Sequence, residues 1–258
     1  MEKTIARMTA AIAEILGEHA PSIYLYGSCT MEDFRSGWSD IDLLVLTQAP
    51  ISQPQAEQLL TLRQTLPKQY PDAHYARACE GGILPLDAFT KEYPDRVVYW
   101  GTSGERITDR HHFDAFSLWE LHHSGRLLHG GDVRHLLPIP TPFDLHAAVA
   151  QHLRTILLHS RGGRSLYAFG WLLDVARGLY TLRHDVVIAK TAAGEWALSL
   201  GLCPDEAALR LALAVRNHPA LMQQEAVLRQ AEALTPAIQG FAAILRRELE
   251  ARSIAIPE

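Results

Sequence analysis

Apolar residues recur at helical spacing at the start of the chain, with Ile5, Met8, Ile12, Ile15 and Leu16 on one face and Glu2, Glu14 and Glu18 breaking the run. This pattern predicts an amphipathic helix over Met1 to Gly17. The run Ile23-Tyr24-Leu25-Tyr26 then ends on Gly27, as a buried strand would. A polar, glycine-containing connection over residues 29–39 leads into a second predicted strand, Ile41 to Leu46. Pro50 and Pro54 read as breaks, Leu59, Leu60, Leu62 and Leu66 as a helix ending at Pro67, and His74 to Leu86 as a third strand weakened by Gly81-Gly82. Phe113, Phe116, Trp119 and Leu121 predict a further helix closed by Gly125. Strand and helix alternate, which points to a small α/β or α+β sheet domain.

Gly130-Gly131 and the cluster Pro138, Pro140 and Pro142 mark the best candidate boundary, giving domains over 1–138 and 143–258. Beyond it the periodicity is helical. Phe143, Leu145, Val149, Leu153, Ile156 and Leu157 form one stripe, and Leu166, Phe169, Leu173, Ala176 and Tyr180 a second. Pro204 and the pair Thr235-Pro236 read as helix starts, with Thr235 as the N-cap. The expected architecture is α+β, a small mixed sheet with helices followed by a C-terminal helical bundle.

Composition narrows the function more than the fold. The 258 residues are 48% hydrophobic and carry a formal net charge of -5, which argues against a general nucleic-acid binder. Cys29, Cys79 and Cys203 are too few and too scattered for a disulfide framework or a zinc knuckle. No apolar run approaches bilayer length, and the charged first helix is unlike a signal peptide, so a cytoplasmic location is expected. Of thirteen histidines, the adjacent pairs His111-His112 and His122-His123 diverge by about a hundred degrees on a helix and suggest surface or capping roles, not zinc. Arg161 to Arg164 reads as a helix end and turn.

The informative stretch is Tyr24-Leu25-Tyr26-Gly27-Ser28 followed by Ser39-Asp40-Ile41-Asp42-Leu43-Leu44-Val45. Asp40 and Asp42 stand two apart at a strand start, so both side chains take the same face. Two carboxylates held side by side repel, and a divalent cation relieves that repulsion. Magnesium takes such a pair together with phosphate oxygens and water. Gly27 lets the backbone turn closely and bring N–H groups to a phosphate, Ser28 adds a hydroxyl, and a helix starting near Cys29 would add its positive end. Together the two pieces form an apparatus for phosphoryl-type transfer.

The order LYGS, a spacer of ten residues, then SDIDLLVL resembles the signature of the polymerase-beta-like nucleotidyltransferase superfamily. The resemblance implies a small mixed sheet, ATP as substrate, two-metal magnesium chemistry, and a nucleotide site that includes Gly27, Ser28 and Ser39. It also implies a third carboxylate on a neighbouring strand, for which the match is Glu80 within Ala76 to Leu86, with Asp87 as runner-up. The surroundings of Glu80 look like those in aminoglycoside adenylyltransferases of the streptomycin/spectinomycin type, where this glutamate is the base that takes the proton of the acceptor hydroxyl. By the same likeness Asp40, Asp42 and Glu80 form the metal and catalytic set, and Arg177 and Lys190 of the helical half reach the phosphates. Asp174, three residues before Arg177, is an alternative partner for it on the helix surface.

The drug pocket departs from that pattern. An expected aspartate is Tyr167, positions expected to hold a tryptophan and an aspartate are Leu158 and Gly163, and Trp100 lies beside, not on, the expected loop tryptophan. Asp114, Glu120 and Asp174 remain as carboxylates that a cationic substrate would meet. The resulting expectation is ATP- and magnesium-dependent adenylyl transfer to a small hydroxyl compound, led by an aminoglycoside or aminocyclitol antibiotic. Its rivals are a nucleotidyltransferase acting on protein or tRNA in a toxin–antitoxin setting, and a nucleotide-binding module without turnover.

Overall fold

The computed structural model describes residues 1–89, 96–101, 104–109, 113–160 and 162–257. The chain is an α+β protein that divides into two units. The first comprises Met1–Thr30, Asp40–Phe113 and Glu120–Ile139, and the second Met31–Ser39, Asp114–Trp119 and Pro140–Glu258. No helix among the described residues is long and apolar enough to cross a membrane.

In the first unit the amphipathic N-terminus forms α1 (Glu2–Leu16), burying Ile5, Met8, Ile12 and Leu16. The two apolar runs become β1 (Ser22–Tyr26) and β2 (Ile41–Thr47). Pro54 starts a helix instead of breaking the chain. It lies in the first turn of α2 (Gln53–Gln69), where Gln55 Oε1 accepts from the Ser52 N–H at 3.0 Å. Pro67 does not end that helix, because the lost bond falls in the last turn and Tyr70 N–H still donates to Leu66 O at 2.9 Å. The third strand is shorter than the pattern suggests. Residues 74–78 coil as a 3-10 turn, and β3 runs over Cys79–Pro85.

Three strands escape the sequence pattern: β4 (Val97–Gly101), β5 (Gly104–Thr108) and, after α3 (Ala115–His123), β6 (Arg126–His129). The sheet order is β5-β4-β3-β2-β1-β6, with β2 and β3 parallel and every other neighbouring pair antiparallel. Helix α2 makes the crossover between the parallel pair, as such a pair requires. One sheet face carries Leu25, Leu43, Gly81 and Trp100 across the strands, and Trp100 Nε1 donates to Leu59 O of α2 at 3.1 Å. At Gly81, with φ +137°, a Cβ would lie 1.8 Å from Leu43 O, so only glycine permits this approach of β3 to β2. The opposite face carries Tyr26, Asp42 and Glu80.

The second unit is helical: α4 (Pro142–His159), α5 (Leu166–His184), α6 (Lys190–Ser199), α7 (Glu206–Asn217), α8 (Glu225–Glu232) and α9 (Thr235–Ala251). Helix α5 is its axis, packing on α4, α6, α7, α8 and α9 and burying Phe169, Leu172, Leu173 and Leu179 completely. Phe143 leaves the expected stripe and is 79% exposed. It stands two residues before Leu145, roughly 200° around the helix from the face that Leu145, Val149, Leu153 and Ile156 bury. Thr235 is the first residue of α9 rather than its cap, and its hydroxyl accepts from Gly162 N–H at 2.6 Å.

Phe241 of α9 is fully buried in this helical core. Chemical denaturation should show Phe241→Ala losing about 3–5 kcal/mol, while Phe143→Ala stays within about 0.5 kcal/mol of wild type. Equal effects would refute the packing described.

Candidate active site

Strand β1 ends where the chain must turn sharply. Gly27 has φ +67°, in the left-handed region that favours glycine, and residues Gly27–Cys29 form a single 3-10 turn. No α-helix starts near Cys29, so the helix-end contribution expected at that point is missing. The turn is instead closed by Thr30, whose N–H and hydroxyl both reach Gly27 O at 3.0 Å.

After Ser39 the chain returns to the sheet unit at Asp40 and enters β2. Asp42 is the register partner of Tyr26 on one side and of Glu80 on the other. Register partners on adjacent strands project to the same face, so the Asp42 and Glu80 carboxylates are neighbours. Asp42 also leans over Gly27: a Cβ on that glycine would lie 2.2 Å from Asp42 Oδ2. The glycine therefore serves the carboxylate as much as the turn. Asp40 sits immediately before β2, against the same turn, its carbonyl 4.0 Å from Cys29 Sγ.

The charges concentrate here. Burial, with the negative charge of Asp42 added, pushes the Cys29 thiol up to about 12. Burial raises Cys79 to about 12 as well, with Arg63 opposing and Asp42 contributing. Burial and then the charge of Glu80 raise Tyr99, against the lowering effect of Arg106. A local negative field built of carboxylate oxygens matches the hard donors that magnesium takes. Among the described residues no three His, Cys, Asp or Glu side chains are already gathered as an ion-holding group. The fit to magnesium thus rests on the register of Asp42 with Glu80, the place of Asp40 just before β2, and the donor chemistry of all three.

Two other sequence candidates are placed elsewhere. Asp87 is exposed in a 3-10 turn beyond Pro85, and Pro85 pairs with Thr47 at the far end of the parallel strands. That puts Asp87 roughly 15–20 Å from Glu80. Trp100 is 1% exposed on the α2 face and belongs to the core. Ser39 Oγ accepts from Arg35 N–H at 3.0 Å, which closes the last turn of the spacer.

Within the helical unit, Arg177 and Lys190 come together from α5 and α6. Lys190 Nζ lies 2.8 Å and Arg177 Nη2 3.7 Å from the same oxygen of Asp174. Burial would raise the Asp174 carboxyl, but Lys190 and then Arg177 hold it below the usual range. Arg177 also stacks 5.2 Å from the Phe116 ring. Asp114 caps α3 through Ser117 N–H (2.8 Å) and holds His152 Nε2 (2.9 Å). Burial opposes its ionisation, yet His152 and Ser117 keep its carboxyl far below the ordinary value. Glu120 is 7% exposed and engaged. All three carboxylates expected to be open to a cationic substrate thus have partners inside the protein.

His122 Nε2 bonds Pro138 O at 3.0 Å, and Arg164 pairs with Glu225 and Glu232. His111, His112 and Arg161 lie outside the described residues. One cluster has no counterpart in the sequence reading: Asp33, Thr191 and Arg216, described below. Its only signal is a charge at a core position, since Arg216 follows Leu209 and Ala212 on the buried stripe of α7.

No protein-family model matches the chain, and no curated protein matches it in sequence. Among solved structures it is similar to the spectinomycin adenyltransferase AAD(9) from Enterococcus faecialis, crystallised with ATP and spectinomycin. The TM-score is 0.74 over 95% of this chain and 99% of that one, at 15% sequence identity. At that identity the likeness establishes the fold alone: a mixed sheet first and a helical unit after it.

Proposed function

We propose that the chain is a nucleotidyltransferase that moves AMP from ATP to a hydroxyl of a small molecule. The observation that carries this reading is the register of Asp42 with Glu80, with the Asp42 carboxylate seated over Gly27. Magnesium, when held by Asp40, Asp42 and Glu80, would neutralise the triphosphate and polarise the reacting phosphorus.

The remaining steps belong to the chain's own groups. The Gly27-Ser28 turn receives the triphosphate, with backbone N–H groups brought close by the side-chain-free glycine and the Ser28 hydroxyl beside them. Ser39 takes part through the end of the spacer, which it closes. Glu80 accepts the proton of the acceptor hydroxyl. The acceptor oxygen then forms a bond to the α-phosphorus while the bond from that phosphorus to the bridging oxygen breaks, and pyrophosphate leaves. Arg177 and Lys190 supply positive charge to the phosphates, releasing Asp174 in exchange.

The leading acceptor class is an aminoglycoside or aminocyclitol, supported by the spectinomycin bound to the fold neighbour. Recognition here must differ from the expected drug pattern. Leu158 and Tyr167 are exposed apolar or aromatic groups at two of the expected ligand positions, and Gly163 fills the third. With three free thiols and no membrane-crossing helix among the described residues, a cytoplasmic setting is part of the proposal.

Transfer of label from α-labelled ATP across a panel of aminoglycosides, spectinomycin and simpler polyols tests the function. Glu80→Gln should retain ATP binding and lose about 10²–10⁴-fold in turnover; unchanged turnover would remove Glu80 as the base. Asp42→Asn should abolish magnesium-dependent turnover, and full activity would refute its metal role. Gly27→Ala adds about 1–3 kcal/mol of backbone strain and displaces the Asp42 carboxylate, so it should weaken magnesium–ATP binding at least about tenfold. Wild-type ATP affinity in Gly27→Ala would contradict the close approach. Lys190→Met should raise the KM for ATP by about tenfold or more.

A further inference from the structure

The spacer between Ser28 and Asp40 is not a passive connection. Residues 31–39 pack with the helical unit, and Asp33 is their anchor. Its side chain is 4% exposed and faces the Arg216 guanidinium, itself 3% exposed, at 2.5 Å. Arg216 Nη2 also donates to Asp33 O at 3.1 Å, and Arg216 Nε to Thr191 Oγ1 at 3.0 Å. The Thr191 N–H donates to Asp33 Oδ2 at 3.3 Å, and the Thr191 hydroxyl to Oδ1. Arg35 adds a second cation 3.5 Å from Asp33 and donates to Asn217 Oδ1 at 3.2 Å, while Trp38 lies 5.5 Å from the Arg216 guanidinium. Asp33 thus joins the spacer, the first turn of α6 and the end of α7.

Stability alone does not account for this pair. Burying two charges is costly, and an apolar pair of similar volume is often as stable or more so. Yet an apolar pair cannot hold a backbone N–H and a hydroxyl in one register. The spacer also carries strain at the adjoining residue: Glu32 adopts φ +57°, unusual for a side-chain-bearing residue and sustained only where the surroundings over-determine it. Thr191 follows Lys190 directly, so the contact that fixes the spacer also fixes the turn bearing that lysine.

We infer that Asp33 and Arg216 are positioning residues: their buried pair sets the spacer that ends in Ser39 and Asp40, and holds Lys190 in register. The assignment to ATP rests on the proposed nucleotidyltransferase function. The geometric part does not.

The test compares wild type, Arg216→Met, and the double variant Asp33→Leu/Arg216→Met. The single variant leaves the buried Asp33 carboxylate with only Arg35 and the two Thr191 donors and should lose stability. The double variant should recover a melting temperature close to wild type. Its amides over 31–39 and 190–193 should nevertheless exchange at least about tenfold faster, with those of α5 and α9 unchanged. Its Kd for magnesium–ATP should rise at least about tenfold. Wild-type exchange and wild-type ATP affinity in the double variant would overturn the inference. If the double variant does not fold, Thr191→Val, which keeps the ion pair and the backbone N–H bond but removes the hydroxyl contacts to Asp33 and Arg216, should speed exchange over 190–193. Unchanged exchange there would equally overturn it. A wild-type protein that binds no ATP would refute the proposed function, and the exchange arms would still decide whether the pair positions the spacer.

Discussion

The parallel pairing of β2 with β3 is the constraint on which the candidate site depends. It sets Asp42 beside Glu80, although 38 positions separate them in the sequence. It holds only because Gly81 lets the two backbones approach to a distance that any Cβ would forbid. On the other side of β2, the antiparallel pairing with β1 delivers Gly27 to Asp42, again where a side chain would collide. Two glycines thus do for this site what no polar side chain could: they leave room for a carboxylate and for a neighbouring strand. The opposite sheet face, packed on α2 through Trp100, holds the strands at fixed spacing behind the carboxylate face.

Placing two like charges on adjacent strands has a cost, and burial, with a smaller contribution from these carboxylates, raises Cys29, Cys79 and Tyr99 around them. A protein tolerates such a concentration where a cation or a reaction makes use of it. Within the helical unit, Arg177 and Lys190 share one carboxylate, Asp174, and the proposal is that a phosphate replaces it as their partner. Asp114 and His152 brace the neighbouring Phe116, against which Arg177 stacks.

Much of this was legible in the residues. Gly27-Ser28 and Asp40-Ile41-Asp42 each abut an apolar run, so strand periodicity alone put them at strand ends. Glu80 came from likeness to a family, since Glu-Gly-Gly in isolation reads as a turn. The short strands β4, β5 and β6 were not legible: β6 has four residues, and β5 is only half-buried, so neither shows a clear alternation. Phe143 is not legible as exposed, because an apolar residue two positions before Leu145 looks like part of the stripe until its angle is counted. The Asp33–Arg216 pair was invisible because it joins residues 183 apart, and a polar spacer gives no hint that one of its carboxylates is buried. Local patterns carried the motifs; contacts between distant residues carried the supports.

The proposed site has Asp40, Asp42 and Glu80 holding a divalent cation against a triphosphate at Gly27-Ser28. Crystals grown with Mn²⁺ and a non-hydrolysable ATP analogue would test it through anomalous scattering. An anomalous peak is expected about 2.0–2.3 Å from the Asp42 carboxylate, with the triphosphate against the Gly27-Ser28 turn. A nucleotide bound elsewhere, or a metal held without Asp42, would contradict it.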